Sequence, residues 1–229
     1  MRKSIKIIYL LIVVLWCHGA SASSFDLGMW NTLNLSYKIN KHFSFYISEE
    51  LRIKENVSRL NLLYTEIGIT YRPKKWLRIT PFYRHIDKYM ADGYFSFRNR
   101  LALDILLRKK LYKKWLFSYR QRWQTEFRDF LTSEYGVIPE FYLRNKFELK
   151  YEFNDKWSTY GAYEIRFQIY NLRMMESNYY FHRNRFAVGL NYDLNKHFSI
   201  GVYNLFQYEY NVQNPQRQNV VGVEFNISL

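Results

Sequence analysis

From residue 25 onward, the chain consists of long segments in which apolar and polar side chains alternate with a period of two. In residues 157–169, for example, Tyr163 and Ile165 fall on one side of an extended chain, while Glu164 and Arg166 fall on the other. A period of two is that of a β-strand, whereas a helix requires spacings of three and four residues. The pattern therefore predicts an all-β protein whose strands carry one apolar face and one charged face.

Short polar breaks of one recurring layout separate these segments. Each break has an aromatic residue near the end of one run, a few polar or turn-forming residues, and an aromatic residue opening the next run, which is typical of a hairpin. The five breaks lie at residues 37–43, 71–76, 111–115, 151–157 and 192–198. The other connections, at residues 54–59, 90–94, 129–140, 172–179 and 212–217, are mostly longer. Short connections that alternate with longer ones are typical of outer-membrane barrels, which have short periplasmic turns and longer extracellular loops.

Alternation alone does not show which face points inward, because a soluble barrel with an apolar core has the same period. Three features favour lipid on the apolar side. The runs extend for roughly 13 to 16 residues, or about 45 Å. Aromatic residues recur at the turn ends of the strands, and Leu229 ends the chain in phase with the last strand. The sequence therefore predicts an antiparallel transmembrane β-barrel, and the remaining alternative is a soluble periplasmic barrel that carries an apolar ligand.

The number of strands is odd by this reading. Five tight turns join ten strands, and residues 217–229 form an eleventh, whereas single-chain bacterial barrels use even numbers. Either residues 25–39 are bent or divided, which gives twelve strands, or a ten-stranded barrel carries this segment as an accessory strand. We therefore expect 10 to 12 long strands, of which eleven are visible in the sequence.

Residues 1–22 have the features of a cleaved secretory signal peptide. These features are basic residues at the start, a ten-residue apolar run too short to span a bilayer, and small residues before the expected cleavage site (Arg2, Lys3 and Lys6; residues 7–16; residues 20–22). We expect residues 23–229 to form a single domain in the outer membrane of a Gram-negative bacterium.

The composition excludes several classes of function. Cys17 is the only cysteine and lies in the predicted signal, so the mature chain has no disulfide and no cysteine-based metal site. The formal charge is +14, and loss of Arg2, Lys3 and Lys6 leaves +11 (14 minus 3). Nucleic acid is an unsuitable partner, because the protein is exported and no compact basic run stands clear of the strands.

Several short motifs of the mature chain resemble those of a known family. They are Leu27-Gly-Met-Trp30-Asn followed by a Tyr-x-Ile-Asn-Lys turn, Glu49-Glu50-Leu51-Arg52, Tyr83-Arg84, Arg98-Asn-Arg100-Leu101 and Arg120-Gln-Arg122. The sequence resembles a family of exported proteins of Gram-negative bacteria that is filed as domain of unknown function number 2490. The resemblance covers most of the mature chain. It implies an outer-membrane barrel with no established activity and no catalytic residues.

The histidines are the residues around which an enzyme would be built, because outer-membrane lipid hydrolases use a serine with a histidine held by a polar partner. His85 and His182 lie near the outer strand ends and face outward by parity, and Asp87 shares the face of His85. A lipid or lipopolysaccharide hydrolase with a surface site near His85 or His182 is therefore the alternative function. His42 and His197 lie in tight turns, where we expect them to be solvated. The serines that could approach from the outer half are Ser96, Ser133 and Ser177.

The charged faces of the strands predict a lumen filled by cross-strand ion pairs, because a barrel of ten to twelve strands is narrow. The predicted network comprises Arg98, Arg100, Arg120, Arg122, Glu126, Arg144, Glu148, Glu164, Arg166, Arg183 and Arg185. Basic residues are in slight excess, so any path through the lumen favours small anions over cations. We therefore predict a non-enzymatic structural or interaction protein, or a small, weakly anion-selective channel, with no catalytic, cofactor or metal site.

The remaining predictions concern the membrane. Trp76, Trp115, Trp157 and Phe198 are expected to form an aromatic girdle at the turn ends of the strands. The expected partners are outer-membrane lipid, including lipopolysaccharide, and the barrel assembly machinery during biogenesis. The sequence gives no oligomeric state.

Overall fold

The computed structural model describes residues 26–128, 139–171, 180–211 and 215–229, and it shows a barrel of eleven β-strands. The predicted signal peptide, residues 1–22, lies outside the described residues. The described residues include no helix that is long and apolar enough to cross a membrane. The strands are β1 (Asp26–Lys38), β2 (Phe43–Lys54), β3 (Arg59–Lys74), β4 (Leu77–Tyr89), β5 (Phe95–Tyr112), β6 (Trp115–Arg128), β7 (Glu140–Glu152), β8 (Trp157–Asn171), β9 (Tyr180–Asp193), β10 (Phe198–Glu209) and β11 (Arg217–Ser228).

The strands form an antiparallel meander that closes through one parallel pair. Each strand from β2 to β10 pairs with its two sequence neighbours, and β1 pairs with both β2 and β11. An odd number of alternating strands makes the first and last strands run in the same direction, so closure has to be parallel. The parallel register runs from Asp26 opposite Gln218 to Ser36 opposite Ser228. Closure leaves no free sheet edge among the described strands.

This closure corrects both expectations for residues 25–39. The strand β1 is one continuous strand, so it is not divided into two, and the barrel does not have twelve strands. It is also not an accessory to a ten-stranded barrel, because it completes the cylinder. The prediction of an all-β barrel with eleven visible strands is confirmed.

Three of the five tight turns are stabilised by the same pair of hydrogen bonds to an asparagine side chain, which explains the repeat in the sequence. In the first, the side-chain oxygen of Asn40 accepts hydrogen bonds from the backbone N–H groups of His42 (2.8 Å) and Phe43 (2.9 Å). Asn154 and Asn195 accept the corresponding pairs of bonds in the turns between β7 and β8 and between β9 and β10. Asparagine suits this position because its short side chain bonds to the backbone two residues on.

The two faces of the barrel differ in chemistry. The outward face exposes large apolar side chains from every strand, including Leu33, Leu51, Ile67, Pro81, Leu101, Trp123, Phe147, Tyr163, Val188, Val202 and Phe225. The inward face carries most of the charged side chains, many of them buried. Soluble monomers rarely expose apolar patches beyond a few hundred Å². The charges of this barrel point inward, so the arrangement that the soluble alternative requires, with the apolar face inside, is not the one observed.

A small apolar cluster lines the lumen beside the parallel seam. It contains Trp30, Ala162, Ala187, Tyr203, Leu205 and Val220, with Tyr160 packed against it. The cluster depends on glycines, because the ring of Tyr203 lies over Gly222 of the neighbouring strand and the ring of Tyr160 lies over Gly189. The absence of a Cβ atom is what lets each ring lie flat against the barrel wall.

We expect Gly222→Ala to destabilise the barrel by about 1–3 kcal/mol, the usual cost of overpacking a well-packed interior. An added Cβ at Gly222 would overlap the Tyr203 ring, so the ring has to move. The change is measured as the free energy of unfolding in urea, with the protein folded in lipid vesicles.

The matched control is Gly161→Ala, because Gly161 lies on the outward face and nothing lies within 4 Å of an added Cβ there. We expect this variant to change stability by less than about 0.5 kcal/mol. Equal losses for the two variants would show that Tyr203 does not lie over Gly222.

Candidate functional site

The inward face of the barrel is the candidate functional site, because it brings charged side chains from neighbouring strands together in an enclosed space. Side chains on this face include Glu50, Glu66, Arg84, Arg122, Gln124, Glu126, Arg144, Glu164, Gln168, Gln207 and Gln218, all of them buried. Charged groups are rarely buried unless they are paired. Their burial shows that these side chains pack against one another and fill this part of the lumen.

Glu164 is the centre of the largest cluster. Its carboxylate accepts hydrogen bonds from Arg120 (2.7 Å), Arg144 (2.6 Å) and Arg185 (3.3 Å). These arginines lie on β6, β7 and β9, whereas Glu164 lies on β8. Arg185 also donates to the side chain of Gln207 on β10 at 2.8 Å. One carboxylate on β8 therefore links side chains of β6, β7 and β9 inside the lumen.

A second ion pair lies next to this cluster. Arg122 binds both carboxylate oxygens of Asp104, at 2.6 and 2.7 Å, in the bidentate geometry that suits a guanidinium group. The guanidinium carbon of Arg122 lies 4.6 Å from the ring centroid of Phe82, so the cation also rests on an aromatic face. Arg120 lies 3.9 Å from Asp104 and connects this pair to Glu164.

Two further clusters occupy the half of the lumen nearer the longer connections. Glu126 accepts hydrogen bonds from Arg98 at 3.1 Å and from Arg100 at 2.6 Å. Glu66 is paired with Arg84, and it also accepts a hydrogen bond from the Tyr46 hydroxyl at 2.7 Å. Each of these clusters joins neighbouring or next-nearest strands.

The cluster at Glu50 combines a carboxylate with aromatic rings beside the seam. Glu50 is paired with Arg52 and accepts hydrogen bonds from the hydroxyls of Thr32 at 3.0 Å and Tyr64 at 2.8 Å. The guanidinium carbon of Arg52 lies 3.7 Å from the ring centroid of Trp30, which is a close cation–π contact. The charge of Arg52 is therefore held by a carboxylate on one side and an indole on the other.

The other residues of the predicted network have separate partners. Arg166 lies 3.7 Å from the ring centroid of Tyr142. Arg183 is paired with Glu209 on the neighbouring strand β10. Glu148 binds Lys146 at 2.8 Å and is not tied to the other predicted residues by a salt bridge among the described residues. The structure thus brings the eleven predicted residues into several local clusters instead of one.

The sequence reasoning left several members of these clusters out of the predicted network. Glu50, Glu66 and Asp104 each hold an arginine, and the hydroxyls of Tyr46 and Tyr64 donate to two of them. The alternation of the strands could have identified these residues. Tyr46 and Glu50 are separated by an even number of residues on the same strand, so their side chains point to the same face. An inward tyrosine with a carboxylate on a neighbouring strand predicts such a bond.

The residues of the predicted girdle lie together at the tight-turn end of the barrel. Trp76, Trp115, Trp157 and Phe198 are between 39 % and 54 % exposed. Trp115 packs on Tyr151 with ring centroids 4.7 Å apart, and Trp157 packs on Tyr192 at 4.5 Å. Aromatic side chains therefore ring the outer surface at this end.

His85 faces outward and is held by two polar neighbours. One ring nitrogen lies 3.1 Å from a carboxylate oxygen of Asp87, and the other lies 3.2 Å from the side-chain oxygen of Asn99. Both ring nitrogens thus have a polar neighbour within hydrogen-bond distance. Of the serines considered for a hydrolytic site, Ser133 and Ser177 lie outside the described residues.

His182 does not face outward as its parity predicted. The register of β8 and β9 shifts between Arg166 and Phe167, where Arg166 pairs with Arg183 and Phe167 pairs with Phe181. His182 is therefore the extra residue of a β-bulge, and its ring packs edge-on against the inward Tyr142 at 5.8 Å between centroids. A bulge inserts one residue and so reverses the parity that follows it.

The two turn histidines connect tight turns to neighbouring strand ends. The Nδ1 atom of His42 lies 3.0 Å from the backbone oxygen of Arg72, and that of His197 lies 2.7 Å from the backbone oxygen of Ser228. A carbonyl oxygen only accepts, so Nδ1 is the donor in both bonds. Within the part of the chain that the structure describes, no group of three His, Cys, Asp or Glu side chains is placed to hold a metal ion.

Comparison with known sequences gives one family match. The family described as "Protein of unknown function (DUF2490)" matches residues 27–219, which cover β1 to β10 and the start of β11. No curated protein matches the sequence.

Solved structures with a similar fold include two outer-membrane or porin proteins. One is described as "NanC porin structure in rhombohedral crystal form", with a TM-score of 0.50, 12 % identity, and coverage of 86 % of this chain and 99 % of that chain. The other is described as "Bacterial polysaccharide outer membrane secretin", with a TM-score of 0.53 and 12 % identity. In that case 84 % of this chain is covered, and the chain spans 66 % of the length of the secretin. At this identity the similarity concerns the fold.

Proposed function

We propose that this chain, which belongs to the DUF2490 family, is a non-enzymatic integral protein of the outer membrane whose lumen is closed by ion pairs. In this proposal its role is structural or interactive, and it does not act as an open pore. The observation that carries the proposal is the combination of an apolar outer surface with buried, paired charges inside. The predicted export signal, with cleavage after residue 22, is part of the proposal.

The outer surface supports a place in the membrane. Strands of 12 or more residues are long enough to cross the roughly 25–30 Å apolar layer of a bilayer at the usual tilt. Closure satisfies the backbone donors and acceptors of the strands, which is a requirement inside hydrocarbon. The solved proteins of similar fold include one described as a porin and one described as an outer membrane secretin.

The interior supports a closed lumen. Arg122, Glu126 and Glu164 are 7 %, 6 % and 7 % exposed, although all three point into the barrel. Little solvent therefore reaches the level of these side chains. An ion would have to displace several salt bridges in order to pass, because Arg100, Arg122 and Arg144 each have a carboxylate partner.

A weakly anion-selective channel is the second candidate. It is favoured by the excess of inward arginines, since Glu164 alone is shared by three of them. If the network rearranged, the lumen would carry a positive field that attracts anions and repels cations. Lipopolysaccharide and other outer-membrane lipids are the proposed partners of the outer surface, together with the barrel assembly machinery during biogenesis.

Conductance in planar lipid bilayers tests the proposal. We expect the purified, folded protein to insert and to give no steady current in 1 M KCl, because the centre of the lumen is filled. Heat-modifiable mobility on a gel confirms that the sample is folded, and an open porin measured in the same bilayers is the positive control. A steady conductance would contradict the closed lumen, and a reversal potential of the sign expected for anions would then support the channel.

A further inference from the structure

Three arginines meet inside the barrel at its tight-turn end, and they lie apart from the ion-pair clusters described above. Arg72 is near the end of β3, Arg78 is near the start of β4, and Arg108 is near the end of β5. Tyr71 on β3 pairs with Ile79 on β4, and the register shifts just beyond Tyr71, so Arg72 lies at this irregularity and Arg78 lies beside it on β4. We call these three residues the mouth arginines.

Arg108 completes the group on the next strand. Its backbone N–H donates to the carbonyl of Trp76 at 2.8 Å, which places it close to Arg78 along the barrel wall. The positive charges of Arg72 and Arg108 both act on Arg78. Like charges that face each other on adjacent strands are destabilising, so the arrangement is unfavourable without an anion.

The mouth arginines lack the carboxylate partners that the other clusters have. Among the described residues, no carboxylate forms a salt bridge with any of the three; Glu148, whose charge acts on Arg108, is bound to Lys146 at 2.8 Å. The partner of Arg72 is a neutral hydroxyl, because its guanidinium group donates to Ser44 at 3.1 Å.

Unused hydrogen-bond donors accompany the lack of a carboxylate partner at Arg72 and Arg108. Arg98, Arg120 and Arg183 also have an unpaired buried Nε atom, but each of them binds a carboxylate through another nitrogen. The Nε atoms of Arg72 and Arg108 are buried and have no hydrogen-bond partner among the described residues. Buried donors are almost always paired, so an unpaired one calls for an explanation. The mouth arginines are only partly buried as whole residues, so part of each side chain is open to a ligand at this end of the barrel.

We propose that Arg72, Arg78 and Arg108 form a binding site for a phosphate group at the tight-turn mouth of the barrel. Guanidinium groups bind phosphate oxygens through paired, charge-assisted hydrogen bonds, and three arginines lie on neighbouring strands at this end of the barrel. Lys74 and Lys75, in the adjoining connection, add to the positive field that draws an anion to this mouth. The site goes beyond the proposed function, because it requires neither an open lumen nor a membrane.

Calorimetric titration of the folded, full-length barrel in detergent with inorganic phosphate tests the site. Chloride keeps the ionic strength constant, so that screening does not imitate binding. We expect Arg78→Gln to weaken phosphate binding about tenfold or more, since a hydrogen bond to a charged group is lost. Lys114→Gln is the control, because Lys114 lies in another turn and donates to the backbone oxygen of Phe153 at 2.8 Å. It is expected to bind phosphate as the wild type does.

A second titration uses a monomeric short-chain phosphatidic acid and separates the two sources of a phosphate group. Binding of both ligands through Arg78 identifies a site for the phosphate group itself, and binding of the lipid alone identifies a headgroup site. The thermal midpoint of Arg78→Gln without phosphate is expected to equal or exceed that of the wild type, because one repulsive charge is removed. Equal binding by wild type and Arg78→Gln, or no binding of either ligand by the wild type, would overturn the proposal.

Discussion

Glu164→Ala is expected to lower the free energy of unfolding by about 3–5 kcal/mol, the range found when one partner of a buried ion pair is removed. The carboxylate holds Arg120, Arg144 and Arg185, and its side chain is almost wholly buried. Its loss leaves three guanidinium groups close together in a dry part of the lumen. The cost arises mainly from those uncompensated charges and not from the lost attraction alone.

Urea unfolding of the barrel in lipid vesicles measures this effect, and Glu164→Gln separates charge from size. Glutamine fills nearly the same volume but is neutral, so we expect it to lose most of the same stability. The matched control is Glu152→Ala, because the pair of Glu152 with Lys150 has an N–O distance of 3.8 Å and the glutamate side chain is 45 % exposed. That variant is expected to change stability by less than about 1 kcal/mol. Similar losses for the alanine variants at 152 and 164 would show that Glu164 is not the centre of the lumen network.

The strands and turns of this barrel could be predicted from the sequence because their signals are local. Alternation with period two is set by each strand alone, and the tight turns repeat an asparagine followed shortly by an aromatic residue, as in Asn40 and Phe43. Hairpin pairing then follows from chain order. For these reasons the positions of the eleven strands could be read from the sequence itself.

The closure of the barrel could not be predicted in the same way. The pairing of Asp26 with Gln218 joins the two ends of the described chain, and no local pattern in either strand identifies the other as its partner. The same limit applies to Arg120 and Glu164, which lie on β6 and β8 and meet across β7. Such contacts depend on the tilt and stagger of the strands in the closed cylinder, which the alternation does not record.

The orientation of His182 was predicted wrongly for a different reason, which is a local irregularity of the strand that the sequence pattern does not indicate. Its position near the end of β9 predicts an outward side chain only if the alternation is unbroken. The bulge opposite Arg166 and Phe167 shifts the register by one residue and places His182 against Tyr142. Bulges carry no strict sequence signature here, so a reading by parity fails beyond each one.

Val202→Arg is expected to cost about 2–4 kcal/mol, the price of an arginine on the lipid face near the middle of a membrane barrel. Val202 points outward, is 49 % exposed and pairs with Leu190 and Val223, so apolar side chains surround it. In water, an arginine at so exposed a position would change stability by no more than about 0.5 kcal/mol. The size of the loss in stability therefore distinguishes an outer surface that contacts lipid from one that contacts water.

Leu194→Arg is the control for depth, because Leu194 is 45 % exposed but lies in the tight turn between β9 and β10. An arginine near the interface reaches water and headgroups, so its expected cost is about 0–1 kcal/mol. The two substitutions are chemically alike and differ in distance from the end of the barrel. A comparison between them removes the general effect of adding one positive charge.

The claim that the apolar surface faces lipid is tested most directly by the reversible unfolding of these two variants and the wild type in lipid vesicles. We predict a loss of about 2–4 kcal/mol for Val202→Arg and about 0–1 kcal/mol for Leu194→Arg. Losses that agree within about 0.5 kcal/mol, or a wild-type barrel that folds in water and does not enter the vesicles, would contradict a membrane location.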